Sequence, residues 1–223
     1  MASFNISNAP QNLTMLDFRA KIDNLGAPAK QCRYFVRITP SGVNNKLTQL
    51  GYNVLLQDLS YLCEATELPG RSFEVTETRY YGPPLVLPHN TKYTQEISMS
   101  FITRAESYER QLFDDWLGLI NPINNFNFEY AKNYYATIDV YLLSEAPRGT
   151  GAVRPTAGKA TYMWSLQNAW PATVSPQQVT WADNDVLRLS VSFIYQFWTR
   201  PGRDATPGGS PGQIPGTGQQ NRR

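Results

Sequence analysis

The chain has 223 residues, 41% apolar and 13% aromatic, enough to form a real core in one domain of ordinary to generous size or one domain with long attachments. Charged residues make up 17%, below the usual quarter, which argues against a highly charged disordered or coiled-coil protein. The formal charge of +2, from 20 Lys and Arg against 18 Asp and Glu, is too small to argue by itself for nucleic acid or an anionic membrane as partner.

Residues 1–30 read as a mixed-polar N-terminal arm, with a short helix expected over Thr14 to Ile22. The opening MASFNISNAPQNLTMLDF has no basic start followed by an apolar run, so no signal peptide is expected. No stretch approaches the roughly 18 apolar residues of a membrane span, and the reading is a soluble protein made in a cytoplasm. From Gln31 the pattern becomes period-two alternation. Cys32, Tyr34, Val36 and Ile38 share one face of a strand, with Arg33 and Arg37 on the other. A loop with Pro40, Gly42 and Asn44-Asn45 follows.

Further strands are expected over Leu59–Thr66, ending at Pro69-Gly70, and over Phe73–Tyr80, ending at Gly82-Pro83-Pro84. The run from Pro83 to Asn90 reads as a loop. The clearest strand is Thr94–Thr103, where Ile97, Met99 and Phe101 alternate with Glu96, Ser98 and Ser100, as in an antiparallel strand with one wet side. The period then switches. Thr103-Arg104-Ala105-Glu106 has the form of a capping box, and Tyr108, Leu112, Trp116 and Ile120 recur every fourth position until Asn121-Pro122. This is the one strong helix signal. Strands resume over Tyr135–Leu143 and Ala160–Leu166, separated by a Gly/Pro/Arg loop at Pro147–Gly158. The last strand is read as thirteen residues, Val186–Trp198, against a usual length of about 5–6. From Thr199 onward, six glycines and four prolines in 25 residues can bury almost nothing, and a disordered tail is expected.

The residue inventory argues against enzyme chemistry. A Ser-His-Asp or Cys-His mechanism would have to pass through His89, the single histidine, which lies in the loop-like proline run. Cys32, Cys63 and His89 do not have the paired spacing of a zinc site, and neither a metal nor another cofactor is expected. The two cysteines read as separate thiols sooner than as a disulfide. Asp114 and Asp115 are neighbours on a helix and diverge by about 100°, so a solvated face accounts for them better than a catalytic pair. Asp183 and Asp185 fit a turn before a strand better than a cation site. Trp164, Trp170, Trp181 and Trp198 could form a sugar-stacking platform, but packing in the core or against a neighbouring subunit accounts for them better. Gly208-Gly209 and Gly216-Thr217-Gly218 precede no helix, so they make no phosphate loop.

Three ordered segments carry a family resemblance. They are Cys63-Glu64-Ala65-Thr66-Glu67-Leu68-Pro69-Gly70; Tyr93-Thr94-Gln95-Glu96-Ile97-Ser98-Met99-Ser100-Phe101 running into the helix with Phe113-Asp114-Asp115-Trp116; and Ala169-Trp170-Pro171-Ala172-Thr173-Val174 followed by Val179-Thr180-Trp181-Ala182-Asp183-Asn184-Asp185 and a strand ending at Phe197-Trp198. Together they resemble the inner tail tube proteins of contractile-tailed bacteriophages, over about 31–198. The resemblance implies a mainly β fold, a sandwich or half-barrel of antiparallel strands with one flanking helix. Six copies would form a ring with an inner β-barrel, and rings would stack into a conduit for DNA.

The implied partners are the chain itself, the tail sheath, baseplate and terminator proteins, and transiently the viral DNA. The implied location is the virion, after assembly in the host cytoplasm. Leu68, Pro69, Trp170, Pro171 and Trp198 are then candidate subunit-interface residues, and Ser98 and Ser100 candidate lumen-facing ones. Residues 41–58 read as an insertion, which together with the tail keeps a tube-like baseplate initiator ring open as an alternative. A carbohydrate-binding β module is the distant one. The tail from Thr199 carries four arginines against one aspartate and so +3, which leaves 1–198 with 16 basic and 17 acidic residues, or −1.

Overall fold

The computed structural model describes residues 29–42, 45–79, 81–143, 160–182 and 184–201. The expected helix over Thr14–Ile22, the loop at Pro147–Gly158, Asp183 and the tail beyond 201 lie outside the described residues. Two compact units are present: 1–33 with 143–161, and 34–142 with 162–223. In the first, the Arg33 N–H donates to the Lys30 carbonyl at 3.2 Å and the Leu143 N–H to the Arg33 carbonyl at 3.0 Å. All that follows concerns the second.

The elements run β1 (Tyr34–Pro40), α1 (Lys46–Gln49), α2 (Asn53–Leu62), β2 (Cys63–Thr66), β3 (Arg71–Thr78), β4 (Leu85–Tyr93), β5 (Glu96–Ile102), α3 (Tyr108–Ile120), a 3-10 turn (Ala131–Asn133), β6 (Ala136–Leu143), β7 (Ala160–Val174), β8 (Arg188–Ile194) and β9 (Phe197–Thr199). Strands β1-β6-β7-β8-β5-β2 hydrogen-bond in that order, β9 lies beside β7, and β3 and β4 form a separate hairpin. The larger sheet is open, with β1 and β2 as its edges.

The core forms where the period-two faces meet the α3 stripe. Ile97, Met99 and Phe101 of β5 and Leu189, Val191 and Phe193 of β8 are buried with Leu112, Phe113, Trp116 and Ile120. Phe113 is the hub: its ring lies 5.5 Å from Phe101, 5.9 Å from Phe193 and 6.4 Å from Trp116. The Trp116 indole N–H, which must find an acceptor when buried, donates to the Tyr134 carbonyl at 3.0 Å.

Several expectations are corrected. Residues Leu59–Leu62 are helical: Leu56, Leu59 and Ser60 are buried at helical spacing in α2, which packs on β1, and only Cys63–Thr66 extends. A short apolar run fits either period, and tertiary packing decides. Helices α1 and α2 therefore join α3, and the fold has more than one flanking helix. The α1 cap explains its position: Asn45 Oδ1 accepts from the Leu47 N–H at 2.9 Å, while its amide donates to the carbonyls of Ser41 at 3.0 Å and Tyr135 at 2.6 Å.

Helix α3 begins at Tyr108, after Ser107 in the left-handed region (φ 53°), so the capping box at Thr103–Glu106 does not form. Glu109 instead turns back, fully buried, and accepts from the backbone N–H and Nε of Arg104 at 3.1 and 2.5 Å. The proline run is not a loop; it is strand β4, tolerated because an isolated two-stranded ribbon needs few of its N–H groups.

The longest strand is β7, with fifteen residues, while the expected thirteen-residue strand splits into β8 and β9. Asn168, at φ 57°, bends β7, which pairs with β9 before the bend and with β8 after it. Tyr195 and Gln196 break the partner strand at the same level: the Tyr195 N–H goes to the Gln95 carbonyl and the Gln196 N–H to that of Gln167. The Asn168 amide meets Gln196 Oε1 at 2.7 Å.

Candidate functional site

Two surfaces stand out, a hydroxyl-lined sheet face and an exposed arm. On β5 and β8 every second residue points away from the core, and in register these are Ser98 opposite Ser192 and Ser100 opposite Ser190. Thr173 of β7 lies opposite Ser192 and Ala65 of β2 opposite Ser100, so the block spans four strands. At one end of it Arg188 holds Glu64 bidentately, Nε to Oε2 at 2.6 Å and Nη2 to Oε1 at 3.2 Å. The guanidinium draws the Glu64 carboxyl below its usual range, and both partners stay charged while cancelling each other. The face thus offers small hydroxyls, no unopposed cation from these strands, and one further carboxylate, Glu96.

The sequence alternation that singled out Ser98 and Ser100 is equally present in Arg188-Leu189-Ser190-Val191-Ser192, so the missed serines were there to be found. The ion pair was not: its partners are 124 positions apart.

The second surface is the β3–β4 hairpin. Its residues are exposed on both faces almost throughout, including Phe73, Val75, Tyr81, Leu85, Val86 and Leu87. Its root is fixed by a small aromatic knot. Arg71 lies over the rings of Phe73 and Tyr93 at 5.3 and 5.5 Å, Tyr93 stands edge-on to Trp198 at 6.1 Å, and the Trp198 indole donates to the Gly70 carbonyl at 3.1 Å. Gly70 has no room for more, since a Cβ there would meet Thr94 Oγ1 at 2.8 Å. His89 is the extra residue of a bulge between Asn90 and Pro88.

Of the candidate interface residues, Leu68, Pro69 and Trp198 lie on or beside this root, with Leu68 half exposed. Trp170 and Pro171 sit elsewhere, on β7. Trp170 meets Tyr134 edge-on at 6.4 Å, and Pro171 is buried opposite Phe193. The four C-terminal tryptophans form no common platform: Trp164 lies against Tyr162 at 4.3 Å, Trp170 and Trp198 are engaged as described, and only Trp181 is fully exposed. Asp114 accepts from Arg110 Nε at 2.9 Å and Asp115 from the Tyr52 hydroxyl, so the two carboxylates go to different partners. Among the described residues no three His, Cys, Asp or Glu side chains converge as metal ligands. Cys32 and Cys63 are free thiols.

The sequence profile of a family described as phage tail tube protein matches residues 29–201. No curated protein matches the sequence. Among solved structures, the chain is similar to one from the sheath–tube complex of an extracellular contractile injection system in its extended state. The identity is 13% and the TM-score 0.51, covering 81% of this chain and 95% of that one. It is equally similar to a chain of the sheath/tube terminator of such a system, at 15% identity and TM-score 0.51, covering 79% of this chain and 98% of that one.

Proposed function

The chain belongs to the phage tail tube protein family and is a structural component of a tail tube, and from that membership we propose that six copies close into a ring whose inner wall is the serine-lined face. The observation that carries this reading is the coexistence of that face with two open sheet edges. A sheet left open at β1 and β2 invites uncontrolled pairing, and closure against neighbouring copies removes the edges. The lining would suit a conduit for a polyanion. Binding to DNA is dominated by Lys and Arg neutralising phosphates, and here the one arginine of the face is already held by Glu64. Hydroxyls wet the wall without gripping what passes.

Rings of this kind would stack, with β3–β4 as the element free to reach a neighbour, and would meet the sheath, baseplate and terminator proteins of a contractile tail. Assembly in the host cytoplasm and residence in the virion follow from the same reading. Sedimentation velocity tests it: the purified chain, 25.2 kDa, should sediment as a six-fold species or larger. A baseplate initiator would stop at one ring. A monomer that persists as concentration rises would contradict both.

A further inference from the structure

The arm and the β7–β8 connection stand at opposite ends of the same strands. The hairpin is rooted where β5 begins, with the Thr94 N–H on the Gly70 carbonyl at 3.2 Å. Residues 175–187 leave β7 after Val174 and enter β8 at Arg188, which is paired with Ile102 at the far end of β5. The seven residues of β5 separate the two by roughly 20 Å.

The arm tip is apolar and basic. From Thr78 to Tyr93 it carries Arg79 and Lys92 and no acidic residue. Tyr81 is fully exposed, and Leu85, Val86 and Leu87 are about half exposed. The connection 175–187 has the opposite sign, with Asp183 and Asp185 and no basic residue. It surrounds a cavity of about 470 Å³ lined by Pro176, Val179, Val186 and Leu187, with Asp185 at its wall. Arg188 beside it is held by Glu64.

Resting on the tube reading, we infer that the arm tip of one copy seats in the 175–187 connection of a second copy, head to tail. Three features select this occupant. The charges are opposite. Each patch leaves apolar side chains uncovered, on the arm more than the few hundred Å² typical of a monomer's largest patch. The patches lie at opposite ends, which makes the contact heterologous, so that it propagates a stack. Arg79 would face Asp185, with the Tyr81–Leu87 tip over the hollow.

Charge exchange tests the pairing. Arg79→Glu and Asp185→Arg, each alone, should raise the critical concentration for stacking about tenfold or more, since each puts like charges together. The double variant should return it close to wild type. Both positions are exposed, and unchanged thermal midpoints would show that the fold is intact. Wild-type rings that never stack, stacking indifferent to the single changes, or a double variant that does not recover would overturn this inference and leave the tube reading standing. A strictly monomeric wild type would overturn both.

Discussion

Asn45 is the residue on which α1 and the ends of β1 and β6 are tied together. It is fully buried and uses both its amide protons and its carbonyl oxygen, so truncation leaves the Ser41 and Tyr135 carbonyls and the Leu47 N–H without their partner. Asn45→Ala should cost about 1–3 kcal/mol, visible as a thermal midpoint lower by several degrees. Glu129 makes a second tie. Lys46, Asn133 and the Tyr130 N–H, in that order, hold its carboxyl at about 2, far below the usual 4.5. A carboxylate depressed on folding stabilises above its unfolded value and loses that contribution as pH falls toward the folded one. Urea midpoints of wild type and Glu129→Gln should therefore converge between pH 4.5 and about 2; parallel curves would contradict this. Burial pushes the Cys63 thiol up to about 12, so iodoacetamide at pH 8 should label exposed Cys32 well before Cys63, as peptide mapping would show.

At the scale of elements, α3 and the strands beneath it hold the fold, and the arm does not. Phe113→Ala should cost about 3–5 kcal/mol in urea unfolding, because its ring is fully buried among Phe101, Phe193 and Trp116. Replacing 79–88 by a short turn should leave the thermal midpoint nearly unchanged, since the removed side chains are exposed, while abolishing stacking. The α3 stripe, β5 and the alternation in β6 and β8 were legible in the sequence because each shows one face to the core and one to water. What was not legible has local physical causes. The apolar run before Cys63 satisfies both a helical and an extended period, and its packing on β1 decides. The prolines of β4 disguise a strand that answers to no core. The bend at Asn168 and the matching break at Tyr195-Gln196 depend on contact between β7 and its partner strand, which no single segment records. For the site, Ser98 and Ser100 could be named from alternation, but the Glu64–Arg188 pair needed the sheet to bring β2 and β8 together across β5.

For the molecule as a whole, the charge of +2 is a sum of unlike parts. The body to residue 198 carries −1 and the tail +3. Within the body, the serine-lined face has its arginine neutralised, and opposite charges are segregated to the arm tip and the 175–187 connection. An open sheet, a polar face without free cations and an arm with nothing of its own to lie on are jointly explained by closure with other copies of the chain. Electron cryomicroscopy of the purified full chain tests this most directly. The account predicts six-fold rings in which Ser98, Ser100, Ser190 and Ser192 line the central channel with α3 outside. Rings with α3 on the channel wall, or particles that remain single chains, would contradict it.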